Sequence, residues 1–120
     1  MWYENDELLS GRYIQSCSAE SFDCGNGLMK VKCRITAARR MPRLGVTCIR
    51  IRDEHGADVA TIWNTDTFRD SMTGYDRDKH VTSEGVVLPP GTYTAIVTFY
   101  AKNGVGSDSR TYRTEPVTIQ

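Results

Sequence analysis

The side chains with chemistry to offer are two histidines, four cysteines, four spaced aspartates, a run of cations and a set of aromatic rings. His55 falls in the turn Glu54-His55-Gly56-Ala57 and His80 at a strand start, and an isolated turn histidine is far more often solvated than catalytic. Cys17, Cys24, Cys33 and Cys48 lack the C-x-x-C spacing of a zinc or redox site, and none sits in an activating context. Asp66, Asp70, Asp76 and Asp78 offer the oxygen ligands calcium uses, in a stretch (66–79) that reads as a long loop. They miss the Asp-x-Asp-x-Asp-Gly order, however, and Arg69, Arg77 and Lys79 are interleaved. The expectation is a solvated loop, no metal, no cofactor and no catalysis.

Binding is the better prospect. Trp63, Phe68, Tyr75, Tyr100 and Tyr112 fall outside the clearest core-facing set. Tyr100 follows Phe99, so its ring points away from the face of Tyr93, Val97 and Phe99. Tyr112 lies on the strand expected to pair with that one, and two neighbouring exposed rings can stack on sugar or anchor a protein partner. Net charge is zero, which excludes a general nucleic-acid binder, yet the charge is unevenly spread. Eight basic residues and no acid lie between Lys30 and Arg52, and seven acids against three bases follow in 53–80. Arg39, Arg40 and Arg43, around Met41-Pro42, are expected in a loop between the second and third strands. The rows Lys30, Lys32, Arg34 and Arg50, Arg52 are expected on two different sheets, so that they do not merge. The candidate ligand-binding residues are therefore Tyr100, Tyr112, Trp63, Tyr75, Arg39, Arg40 and Arg43.

The elements that must hold these residues read as strands. Met29, Val31, Cys33 and Ile35 alternate with Lys30, Lys32 and Arg34, the period-2 pattern of a half-buried strand. Ile49 and Ile51 alternate with Arg50 and Arg52, and the turn at 54–57 folds back into residues 59–63. Further strands are expected at 13–22, 80–88, 93–101 and 112–119, separated by Asp23–Gly27, Pro89-Pro90-Gly91 and the turn at 102–107. Helical turns are conceivable only at 3–9 and 67–73. Residues 1–12, acidic and without alternation, read as a tail or arm before one domain over 13–120. A chain of 120 residues with 39% hydrophobic and 25% charged residues is ordinary globular material. It holds no apolar run near the ~20 residues of a membrane helix. Met1-Trp2-Tyr3-Glu4 lacks the basic and apolar parts of a signal peptide. Cys17 and Cys33 flank the Gly25-Asn26-Gly27 turn almost symmetrically, which would bring them roughly opposite each other. Four cysteines pair in three ways, and free buried thiols are the other reading.

The phrase Leu88-Pro89-Pro90-Gly91-Thr92-Tyr93-Thr94 resembles the corner before the sixth strand of immunoglobulin-like and fibronectin-III-like domains. Its Tyr packs inside while the hydroxyl bonds back to the corner backbone. More widely, residues 12–119 resemble a group of small secreted proteins of Gram-positive bacteria. The features that carry this are Gly25-Asn26-Gly27-Leu28 with its alternating strand, Gly45-Val46-Thr47, Gly91 to Tyr93, Lys102 to Gly104 and the Ser/Thr-rich strand at 109–119. Trp63 matches that group's tryptophan loosely, and four cysteines are more than its members tend to carry. The resemblance implies an immunoglobulin-like sandwich of about seven antiparallel strands and a secreted or cell-surface location, and it brings no established activity to transfer. It casts Tyr93 as a structural residue. The leading expectation is a non-catalytic envelope module for a glycan or protein partner. The alternative is a structural domain that self-associates into a homo-oligomer through an exposed strand edge.

Overall fold

The computed structural model describes residues 13–104 and 106–120. The expected arm at 1–12, with its possible turn at 3–9, lies outside the described residues, as does Val105. The described chain is all-β. Its strands are β1 (Ile14–Asp23), β2 (Leu28–Asp53), β3 (Asp58–Trp63), β4 (Thr73–Val87), β5 (Gly91–Lys102), β6 (Ser107–Arg113) and β7 (Val117–Ile119). All seven pair antiparallel within one curled sheet, whose main path runs β1-β2-β5-β6.

β2 organises the molecule. Its 26 residues would span about 86 Å fully extended, whereas the longest dimension of the domain is 44 Å. The strand must therefore bend, and the pairing slips show where. One slip lies between Thr36 and Met41 against β4, another between Val46 and Cys48 against β5. Before the first, β2 runs between β1 and β4; beyond the second, it runs between β5 and β3. A Cβ at Gly45 would run into the Met72 carbonyl oxygen, so this crowded crossing needs glycine.

Two expectations are corrected here. Arg39, Arg40 and Arg43 belong to β2 and not to a loop, because pairing resumes at Met41 with Arg77 and at Arg43 with Tyr75. Pro42 has no N–H to give and is exposed between those two pairs, at a position where the ladder can spare a donor. Likewise β4 starts at Thr73, so Tyr75, Asp76 and Asp78 are strand residues. The true connection is shorter and closes with a single 3-10 turn, Asp70–Met72, which drives Met72 fully into the core.

The concave face holds the core. Phe99, Ile14, Met29, Met41, Leu44, Ile49, Ile51, Met72 and Ile119 are its largest fully buried side chains. Where the curl brings β1 beside β6, side chains do the work of a ladder. The Asp108 carboxylate accepts the Tyr13 and Ile14 amides at 3.2 and 3.1 Å, and Arg110 donates to the Ile14 carbonyl at 3.0 Å. Further along, Ser21 donates to Thr114, whose own hydroxyl oxygen also accepts the Ala95 amide. At the corner before β5, the Tyr93 ring is buried and its hydroxyl donates to the Pro89 carbonyl at 2.7 Å.

Candidate binding face

Directly paired residues on neighbouring strands project to the same side, so the register gives the outward face row by row. Around the second half of β2, the first row is Tyr75, Arg43, Lys102 and Ser107, and the next is Thr73, Gly45, Tyr100 and Ser109. Trp63, Cys48, Thr98 and Thr111 follow, and then Thr61, Arg50, Ile96 and Arg113. Arg52 pairs with Thr94 and Asp58 in the last. Four of the candidates read from sequence, Tyr75, Arg43, Tyr100 and Trp63, thus share one convex surface.

Two apolar side chains order this surface. Cys48 and Ile96 are each only 7% exposed, yet neither belongs to the core cluster on the other side of the sheet. Ile96 stands directly between Arg50 and Arg113. Long basic side chains lay their methylene stems along such a neighbour while the charged heads stay wet. The backbones of the two arginines stand two strand spacings apart, about 9.5 Å. Tyr100 is fastened as well, its hydroxyl 2.8 Å from that of Thr73. Trp63 stays 46% exposed and Tyr75 59%.

The charge on this face is one-sided. Among the described residues its paired rows present Arg43, Arg50, Arg52, Arg113 and Lys102 against one acid, Asp58, which already pairs with Arg52 at 2.8 Å. Among the described residues no carboxylate pairs with the other four cations. At the β3 rim, the Asp66 carboxylate accepts the Trp63 amide at 2.8 Å, and Phe68 projects into solvent at 92% exposure. Phe68 has φ 65, a left-handed conformation that bulky residues rarely adopt. At the other end, Arg52, Thr94 and Arg113 line a shallow cleft of about 340 Å³ together with Asp53 and Glu54.

No known protein family and no curated protein matches the chain.

The remaining candidates lie elsewhere. Tyr112 pairs with Val97, which puts it on the concave side, so it does not neighbour Tyr100 as expected. It lines a notch at the β1–β6 junction with Phe22, Glu20 and Pro116. Arg39 and Arg40 sit at the bend of β2, and Arg40 donates to the Asp76 carbonyl at 2.7 Å. The rows Lys30, Lys32, Arg34 and Arg50, Arg52 lie on one strand of one sheet, not on two sheets. Among the described residues no three His, Cys, Asp or Glu side chains converge as a metal cluster would require. Asp76 and Asp78 are separated from Asp66 by the start of β4.

The thiols are free. Cys17 pairs with Ile35 and Cys33 with Ala19, so the two cysteines are diagonal neighbours rather than opposite. Diagonal Cα atoms stand about 7–8 Å apart, too far to bridge without moving the backbone. Burial pushes the Cys33 thiol up to about 12, with the Glu84 charge adding to it. Burial also raises Cys17, and the Arg110 guanidinium offsets only part of that. Neither is an activated nucleophile. His80 Nε2 is 2.7 Å from the Ser71 carbonyl, which can only accept, so this nitrogen carries the proton. Its Nδ1 faces the Arg77 guanidinium at 3.4 Å.

One polar cluster escaped the sequence reading. Glu84 is 3% exposed, on the concave side of β4. Arg69 donates to its Oε1 at 3.0 Å, while Ser71 and Thr82 donate to its Oε2. Arg69 also reaches the Gly85 carbonyl, so the cluster ties the connection before β4 down over the sheet. The available signal was Thr82 and Glu84 at alternate positions between exposed Val81 and Val87.

Proposed function

We propose that this protein is a non-catalytic binding module of the exported or cell-envelope kind, acting through the convex face around the second half of β2. The observation that carries the reading is one surface bearing Trp63, Tyr75, Tyr100 and five cations, set on rigid strands. The raised thiols and the fully bonded His80 support a role without catalysis. The Tyr93 to Pro89 bond supports placing the domain with immunoglobulin-like sandwiches, and with them a secreted or cell-surface location. No helix of the described residues is long and apolar enough to cross a membrane. The partner is an envelope glycan or protein, and not a nucleic acid.

A glycan array and a pull-down from cell-wall extract test this directly. Binding in either, lost on Trp63→Ala or Arg50→Ala, is the expected result. Silence in both, with no effect of either substitution, refutes it.

A second reading has its own observation. Among the described residues β4 pairs only with β2, so no strand covers its other edge over residues 81–87, where Arg69 takes up the Gly85 carbonyl alone and Val81 is 54% and Val87 73% exposed. Unpaired edges of this kind recruit a second copy. Light scattering at high concentration decides, since a strict monomer removes self-association from consideration.

A further inference from the structure

We propose that the ligand of the convex face is an acidic polysaccharide, a chain of sugar rings carrying carboxylate, sulfate or phosphate groups. This rests on the binding reading above and names its ligand class. Two features of the face act together. The first is the charge: among the described residues the paired rows carry five cations against one acid, already engaged by Arg52, with Asp53 and Glu54 only at the cleft beyond, which complements a polyanion and disfavours a neutral or basic partner. The guanidinium groups suit the bidentate geometry of carboxylate, sulfate and phosphate oxygens.

The second feature is what lies between the cations. A surface built for bare charge needs no aromatic rings, yet Trp63 and Tyr75 are half exposed or more, and Tyr100 is fixed in place by Thr73. The face of a ring packs on the C–H face of a sugar. Serine and threonine hydroxyls at 61, 94, 98, 107, 109 and 111 fill most of the other outward positions, supplying short neutral donors and acceptors for sugar hydroxyls. Arg50 and Arg113, in register on either side of Ile96, would grip two anionic groups along one chain, with Trp63 one row away.

The test uses the full chain and four probes: heparin, polygalacturonate, neutral dextran and a twenty-residue oligothymidylate. Binding is titrated at several salt concentrations. The expected result is binding of heparin or polygalacturonate, the comparison between them telling sulfate from carboxylate, with oligothymidylate and dextran at least about tenfold weaker. Arg50→Ala with Arg113→Ala should weaken the polysaccharide by about tenfold or more and lower the slope of log Kd against log salt by about two. Trp63→Ala should weaken it without changing that slope. Lys30→Ala with Lys32→Ala removes equal charge from the other half of β2 and should have little effect. Thermal melts establish that each variant is folded.

Equal loss in the Lys30 and Lys32 variant, or oligothymidylate binding as tight as polysaccharide, overturns the proposal in favour of unspecific charge. Dextran bound as tightly, or a protein captured from extract through Trp63 with neither polysaccharide bound, leaves the face a binding site and sinks the acidic ligand. Failure of every probe and every pull-down removes both the ligand and the site.

Discussion

β4 and β5 pair with the same strand, and they arrange their residues in opposite ways. β5 alternates cleanly: Tyr93, Ala95, Val97, Phe99 and Ala101 are buried in the core, with Thr94, Thr98 and Tyr100 on the other side. β4 inverts the pattern, burying Thr82 and Glu84 while Val81 and Val87 stand in solvent. β5 has a neighbour on each side, β2 on one and β6 with β7 on the other. Among the described residues β4 has β2 alone, and its concave side is covered by the connection carrying Arg69 and Ser71. An apolar core satisfies β5, whereas the lid over β4 is hydrogen-bonded, so the strand beneath it must be polar.

The largest effect should come from the apolar side. Phe99→Ala removes a fully buried ring from the middle of β5 and should cost about 3–5 kcal/mol of unfolding free energy, measured by urea denaturation. A loss under about 1 kcal/mol would mean that the core is not centred on β5.

Arg69→Ala tests the polar lid and should cost about 2–3 kcal/mol. Breaking a buried pair costs about 3–5 kcal/mol, but Arg69 is 30% exposed and Ser71 and Thr82 still donate to the carboxylate. Adding Glu84→Gln to Arg69→Ala should recover part of the loss, because a neutral amide is cheaper to leave without a cation than a carboxylate is. Denaturation of the two single variants and the double variant gives the coupling. Additive losses would show that Arg69 and Glu84 do not act as a pair.

Tyr93→Phe, at the entry to β5, should cost about 1 kcal/mol. It deletes one hydrogen bond and leaves the Pro89 carbonyl without its donor, while the ring stays packed. A thermal melt measures it, and an unchanged midpoint would reduce the corner to packing alone.

The same contrast explains what could be read from sequence. The core of β5 was legible because its period of two runs unbroken from Tyr93 to Ala101, although the strand itself extends to Gly91 and Lys102. The first half of β4 was not, because residues 73–79 are polar or small and only their pairing with residues 36–45 makes them a strand. Pro42 hid the continuity of β2 in the same manner, since the exposed gap it occupies is a property of the ladder and not of the local chain. For the candidate face, Trp63, Tyr75, Tyr100 and Arg43 were all identifiable by exposure. Their convergence depends on the slip between Val46 and Cys48, after which Cys48, Arg50 and Arg52 point outward. A one-residue slip moves every later side chain across the sheet, and no count along a single strand detects it. Tyr112 is a separate case: the β5–β6 ladder is unbroken, and its register alone sets Tyr112 opposite Val97 and Ser109 opposite Tyr100.

The smallest expected effect is also the sharpest check on the inversion. Val87 is 73% exposed, so only about a quarter of it is out of water, and full burial of a valine is worth about 1.5–3 kcal/mol. Val87→Thr keeps one methyl and places the hydroxyl in solvent, so stability should change by no more than about 0.5 kcal/mol. The same exchange at Val97, fully buried opposite Tyr112, sinks a hydroxyl into the core and should cost about 1–3 kcal/mol for the unpaired group. Paired urea titrations of the two variants compare identical chemistry on β4 and β5. A similar loss at both positions would place Val87 inside, and with it the whole alternation of β4 would reverse. Glu84 would then face water, and the lid over it would have nothing to hold.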